Sequence, residues 1–70
     1  MSTARQRYEV AVSGGSIEVV DLTDGEVVLF WDVRPKARRR MAEALRHDLG
    51  RLTPEAFLVR WTRADPADFG

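Results

Sequence analysis

Residues 26 to 33 read EVVLFWDV, and the five in the middle, Val27 to Trp31, are all apolar. Neighbouring side chains of a strand point to opposite faces of its sheet, so a strand with one wet face alternates between apolar and polar residues. This stretch does not alternate and therefore predicts a strand that is apolar on both faces. The segments on either side of it indicate which face is covered.

Two further strand patterns precede this stretch. Residues 8 to 13 alternate between apolar and more polar side chains, and residues 17 to 22 form a second, largely apolar run. Gly14-Gly15 lies between them and predicts a tight hairpin loop with positive φ. The three patterns together predict an antiparallel meander.

The second turn, residues 23 to 25, sets the register of the third strand. A two-residue loop would pair Leu22 with Val27, whereas a three-residue loop closed by a left-handed Gly25 would pair Asp21 with Val27. A slip of one residue exchanges the two faces of a strand. We predict the three-residue loop because it separates a more apolar face from a mixed one.

In this register Val19 lies opposite Leu29, and Ile17 lies opposite Trp31. The predicted inner face, with Asp21 at its edge, consists of Tyr8, Val10, Val12, Ile17, Val19, Val27, Leu29, Trp31 and Val33. The predicted outer face consists of Glu9, Ala11, Ser13, Glu18, Val20, Leu22, Glu26, Val28, Phe30 and Asp32.

Two helix patterns follow the strands. Residues 35 to 49 begin with Pro35, which suits the first helical turn, and end before Gly50, a common residue after a helix. Thr53-Pro54-Glu55 predicts the start of a second, shorter helix with Thr53 as its N-cap. The chain is therefore expected to be an α+β protein, a three-stranded antiparallel meander followed by two helices packed on one face (βββαα).

Composition limits the organisation and the chemistry. We predict one domain over residues 8–63, with flexible termini at 1–7 and 64–70. The absence of cysteine and the single histidine predict no disulfide and no metal site. The N-terminal residues lack a following apolar segment, and no apolar run reaches the length of a membrane span, so a cytoplasmic protein is expected.

No catalytic residue stands out, and no cofactor or small-molecule ligand is indicated. His47 follows Glu43 by four residues on the solvent side of the first helix, where a simple side-chain pair explains it. Ser13 and Ser16 fall in a hairpin, and nothing in the pattern brings them to His47. The sequence therefore predicts a protein that is not an enzyme.

The first helix carries a basic stripe opposite its apolar side. A solvated surface is the simpler interpretation, with Glu43 offsetting its cationic neighbours, but the stripe could also bind an anionic protein or a phosphate backbone. The residues available for such a contact are Lys36, Arg39, Arg40, Arg46 and Arg51.

The element order is similar to that of plant AP2-type and integrase arm-type DNA-binding domains, which would imply DNA binding through the sheet. The outer face here carries Glu9, Glu18, Glu26 and Asp32, and phosphates would be repelled by these carboxylates. Nucleic-acid binding by the first helix is the alternative function that the sequence leaves open.

An apolar patch rimmed by carboxylates is typical of a modest protein interface. The short connection at residues 50–52 favours docking of the second helix beside the first, so the outer face should stay open. We predict a small non-enzymatic, accessory or regulatory interaction module that contacts itself or another protein, most simply as a homodimer. Its expected contact residues are Val20, Val28 and Phe30, with Glu18 and Glu26 as the rim.

Overall fold

A computed structural model describes residues 2 to 70; Met1, part of the predicted flexible N-terminus, lies outside the described residues. Three strands precede two helices: β1 (Tyr8–Ser13), β2 (Ser16–Asp21), β3 (Val27–Asp32), α1 (Pro35–Leu49) and α2 (Pro54–Thr62). The strands form one antiparallel sheet in the order β1-β2-β3. This architecture confirms the predicted three-stranded meander followed by two helices.

The first hairpin has the predicted two-residue loop. Ser13 pairs with Ser16, and their hydroxyl oxygens lie 2.9 Å apart. The prediction of positive φ at Gly14 and Gly15 was wrong, because Gly25 is the one described glycine with positive φ. The two glycines therefore close the loop without the left-handed backbone that their lack of a Cβ would allow.

The second hairpin differs from the predicted three-residue loop. The Asp21 N–H donates to the Glu26 carbonyl at 2.8 Å, and the Gly25 N–H donates to the Asp21 carbonyl at 2.7 Å. These bonds enclose a four-residue loop, Leu22 to Gly25. Gly25 is left-handed as predicted, with a φ of 75°.

A β-bulge then restores the predicted register further along β3. Val20 pairs with Val27, but Val19 pairs with Leu29, so Val28 is an extra residue without a partner in β2. The predicted Val19–Leu29 and Ile17–Trp31 pairs are confirmed. The predicted Asp21–Val27 pair is wrong, since the longer loop and the bulge each shift the pairing by one residue and cancel only beyond Val28.

The bulge changes the face on which Val27 lies. Opposite residues of a strand pair share a face, and Val20 is on the outer face with Glu9. Val27 was predicted in the core, but it is 49% exposed. The placement of Val27 on the inner face was therefore wrong.

Both helices begin where the sequence predicts, and α1 also ends there. Pro35 opens α1, which ends at Leu49 before Gly50. The Thr53 side chain caps α2 by accepting a hydrogen bond from the Ala56 N–H at 3.2 Å. Helix α2 contacts α1 and, through Phe57 and Trp61, the inner face of the sheet, so both helices cover the same face.

The core lies between the helices and the inner face of the sheet. Helix α1 packs on β1 and β2, while Phe57 of α2 stacks on Tyr8, with ring centroids 5.9 Å apart. Trp61 of α2 meets the half-buried Trp31 edge to face at 6.1 Å. Val12 was also predicted in the core, but it is exposed because it lies at the hairpin end of β1.

Asp48 is a buried carboxylate that the helical pattern did not reveal. It accepts a hydrogen bond from the Trp61 indole Nε1 at 3.1 Å and pairs with Arg51 at 3.0 Å and Arg60 at 2.8 Å. A buried carboxylate needs such partners to offset its lost hydration. Asp48 thus ties the end of α1 to α2 and fixes the position of Trp61.

Segments of both termini contact the domain predicted at 8–63. Ala4, in a short 3-10 turn, is fully buried and its N–H donates to the Leu52 carbonyl at 2.8 Å. Near the other end, Phe69 stacks on Trp61 with a centroid distance of 5.8 Å. The flexibility of residues 2–7 and 64–70 in solution stays a prediction.

No helix within residues 2–70 is both long and apolar enough to cross a bilayer.

Candidate interaction surface

The outer face of the sheet carries exposed apolar side chains and no helix. Phe30 is 54% exposed and lies opposite Glu18, while Val27 lies opposite the half-buried Val20. We call Val20, Val27 and Phe30 the apolar patch. Because both helices occupy the other side of the sheet, the chain itself leaves this patch open to solvent.

The predicted contact residues map onto this surface with two changes. Val20 and Phe30 lie on the outer face as expected, and the patch gains Val27, which the sequence pattern had placed inside. Val28 is 39% exposed at the bulge. The alternation of side chains in the sequence could not reveal that Val27 lies outside, because a bulge residue has no signature in that alternation.

Of the two predicted rim residues, one lies on the outer face and the other does not. Glu18 lies directly across from Phe30 and flanks the apolar patch on the central strand. Glu26 lies instead at the turn, where its N–H donates to the Asp24 carboxylate at 3.0 Å and its carbonyl accepts from Asp21. The carboxylates of the outer face are consequently Glu9, Glu18 and Asp32.

The turn that leads into β3 is held by Asp21. Its carboxylate accepts a hydrogen bond from the Thr23 N–H at 2.9 Å and lies 3.5 Å from the Arg7 guanidinium. The Thr23 backbone hydrogen bond, aided by Arg7 and opposed by burial, lowers the pKa of Asp21 from its ordinary value of 3.8. An ionised Asp21 thus stabilises the turn that positions Val27.

Strand β3 is also an edge strand. It has β2 as a neighbour on one side only. From Val27 to Trp31 it contains neither proline nor a charged residue, which are the usual protections of an exposed edge. The last strand of a meander is an edge by topology, so the sequence order already contained this signal.

The basic stripe of α1 is partly engaged in ion pairs. Arg39 pairs with Glu43 at 3.2 Å, and both side chains are highly exposed; Arg51 pairs with the buried Asp48. Among residues 2–70, the charged groups of Lys36, Arg40 and Arg46 form no ion pair. Two of the five predicted cations are therefore already held by carboxylates.

No catalytic constellation is assembled from the described residues. His47 is exposed on α1, and Ser13 and Ser16 contact each other across the first hairpin. No group of three histidine, aspartate or glutamate side chains within residues 2–70 is arranged to hold a metal ion. An open hollow beside the end of β3 is lined by Asp32, Arg34, Lys36, Ala37, Pro66, Ala67 and Gly70.

No protein-family model, no curated protein and no solved structure matches this chain.

Proposed function

We propose that this chain is a small non-enzymatic interaction module, an accessory or regulatory subunit, that forms a homodimer through the outer face of its sheet. The single observation that carries the proposal is the exposure of Phe30 on a face that no helix covers. Val20 and Val27, on the same face, add further apolar surface beside it. Carboxylates flank this surface, as is common at the rim of protein interfaces.

The size of the patch indicates a modest affinity. Full burial of a phenylalanine stabilises by about 1.5–3 kcal/mol, whereas association costs several kcal/mol in lost freedom. Phe30 alone cannot offset that cost. Further contacts beside Phe30 must therefore take part in the dimer.

Replacement of Phe30 by glutamate tests the proposal. The variant should stay folded, since the side chain is exposed, and it should be monomeric where the wild type is dimeric. Val59→Glu is the matched control, because Val59 is 63% exposed on α2, away from the outer face. Sedimentation velocity across a concentration series measures both variants, and circular dichroism checks their fold.

Two results would overturn the proposal. A wild-type chain that remains monomeric at the highest soluble concentration excludes the homodimer. A Phe30→Glu variant that associates as strongly as the wild type excludes the outer face as the contact.

Nucleic-acid binding through α1 is the second candidate, supported by the exposed and unpaired charges of Arg40 and Arg46. Anisotropy titrations of labelled DNA and RNA at low and high salt test it, with Arg39, Arg40 and Arg46 replaced together by alanine. Binding should weaken as salt rises, with a log–log slope of about 0.9 per neutralised phosphate on duplex DNA. Absence of salt-sensitive binding at low ionic strength removes this candidate.

A further inference from the structure

The backbone of β3 presents hydrogen-bonding groups to solvent at the free edge of the sheet. The Val33 N–H donates to the Gly15 carbonyl at 2.9 Å, so these two residues form a hydrogen-bonded pair. Antiparallel strands alternate between hydrogen-bonded and non-hydrogen-bonded pairs. Phe30, opposite Glu18, and Asp32, opposite Ser16, are therefore in non-hydrogen-bonded pairs, and their N–H and C=O groups point away from β2.

The side chains at this edge are incompletely covered on both faces. Phe30 is exposed on the outer face, and Leu29 and Trp31 are only half-buried on the inner face because α1 lies over β1 and β2. A strand added beside β3 would cover apolar surface on both sides of the sheet and satisfy the open backbone groups.

The charges at the two ends of β3 select an antiparallel copy of the same strand as the occupant. Glu26 precedes β3 and Arg34 follows it, both are exposed, and neither side chain forms an ion pair within the described chain. Antiparallel pairing of β3 with itself sets the Glu26 end of one copy beside the Arg34 end of the other. The two-fold symmetry of such a dimer repeats this attraction at both ends.

Face-to-face stacking of two outer faces is less favourable electrostatically. It would place the carboxylates of Glu9, Glu18 and Asp32 from both copies in one interface. Edge pairing leaves these side chains in water, since the two outer faces then lie side by side.

We infer that two copies associate by antiparallel pairing of their β3 strands, which joins two three-stranded sheets into one continuous sheet. This inference rests on the proposed homodimer and narrows its contact from the whole outer face to the β3 edge of that face, where Phe30 lies. Phe30 and Phe30 of the partner subunit lie near each other on the joined outer face, and Trp31 gains cover on the inner face.

Asp32→Pro tests the backbone contact directly. Proline removes the outward N–H of Asp32 and leaves the ladder to β2 intact, because that N–H does not point to β2. The matched control is Asp32→Ala, which removes the same exposed carboxylate but keeps the N–H. Sedimentation velocity should show at least a tenfold weaker dimer for Asp32→Pro and no weakening for Asp32→Ala, with near-ultraviolet circular dichroism confirming that both variants fold.

Amide hydrogen exchange of the wild type gives a second measurement that needs no variant. The Phe30 and Asp32 amides should exchange rapidly in dilute protein and become protected at concentrations where the dimer forms. A dimer that leaves both amides unprotected and tolerates Asp32→Pro overturns edge pairing but not the homodimer. A wild type that never dimerises overturns both.

Discussion

Strands β2 and β3 are both rich in apolar residues, yet one is buried and the other is not. Ile17 and Val19 of β2 are fully buried, whereas Val27, Val28 and Phe30 of β3 are exposed. The first cause is the face, because Ile17 and Val19 lie on the inner face under α1, whereas Val27 and Phe30 lie on the outer face, which no helix covers. The second cause is the edge position of β3, which leaves even its inner-face residues Leu29 and Trp31 only half-buried. The same kind of side chain therefore stabilises the fold in β2 and remains available for association in β3.

The largest expected contrast comes from one substitution made in both strands. Val19→Ala should lower the free energy of unfolding by roughly 2–3 kcal/mol, because it removes fully buried methyl groups and leaves a cavity. Val27→Ala should change it by less than about 0.5 kcal/mol, as is usual at an exposed position. Urea unfolding of monomeric protein measures both, and equal losses would break the comparison.

The turns that lead into the two strands provide a contrast of intermediate size. Gly25→Ala should cost about 1–2 kcal/mol, because Gly25 has a φ of 75°, which disfavours a Cβ. Gly15→Ala should be neutral or stabilising, since its φ is not positive and a Cβ there meets open space. Thermal unfolding of the two variants at one pH checks this order, and a larger loss at Gly15 would contradict it.

The smallest expected effect is on the acid stability of the fold, through the Asp21 carboxylate in the turn before β3. Folding lowers the pKa of Asp21, so its ionised form stabilises the native state at neutral pH, and this contribution is lost as the pH falls below about 3.8. In Asp21→Asn the part of the acid dependence that comes from this carboxyl should vanish. Unfolding midpoints from pH 7 down to pH 2.5 measure it, with Asp24→Asn as the neighbouring control.

The elements of the fold were predictable because their signals are local. Proline and the glycine after Leu49 define α1, and the threonine cap defines the start of α2. The central register of β2 and β3 was also correct, because burying Val19 and Ile17 together with their partners allows only one alignment.

The turn before β3 was not predictable in the same way. A four-residue loop followed by a bulge gives the same central register as a three-residue loop without one. The hydrophobic pattern therefore cannot distinguish the two arrangements. It consequently placed Val27 inside and Val28 on the regular outer face.

Asp48 was missed because its partners are distant in the sequence. The helical pattern of α1 does not distinguish Asp48 from a solvent-exposed acid. In the folded chain, Trp61 and Arg60 of α2 contact its carboxylate. Docking of α2 is needed before burial of this carboxylate becomes favourable.

The order of the strands, the limits of α1, the start of α2 and the apolar character of β3 follow from the sequence, because propensity, capping and alternation act between neighbours. The position of Val27 on the outer face and the burial of Asp48 were decided only by the tertiary structure. The first depends on the bulge in β3 and the second on the docking of α2 beside α1. Neither is contained in the local pattern, because each depends on contacts between segments that are distant in the sequence.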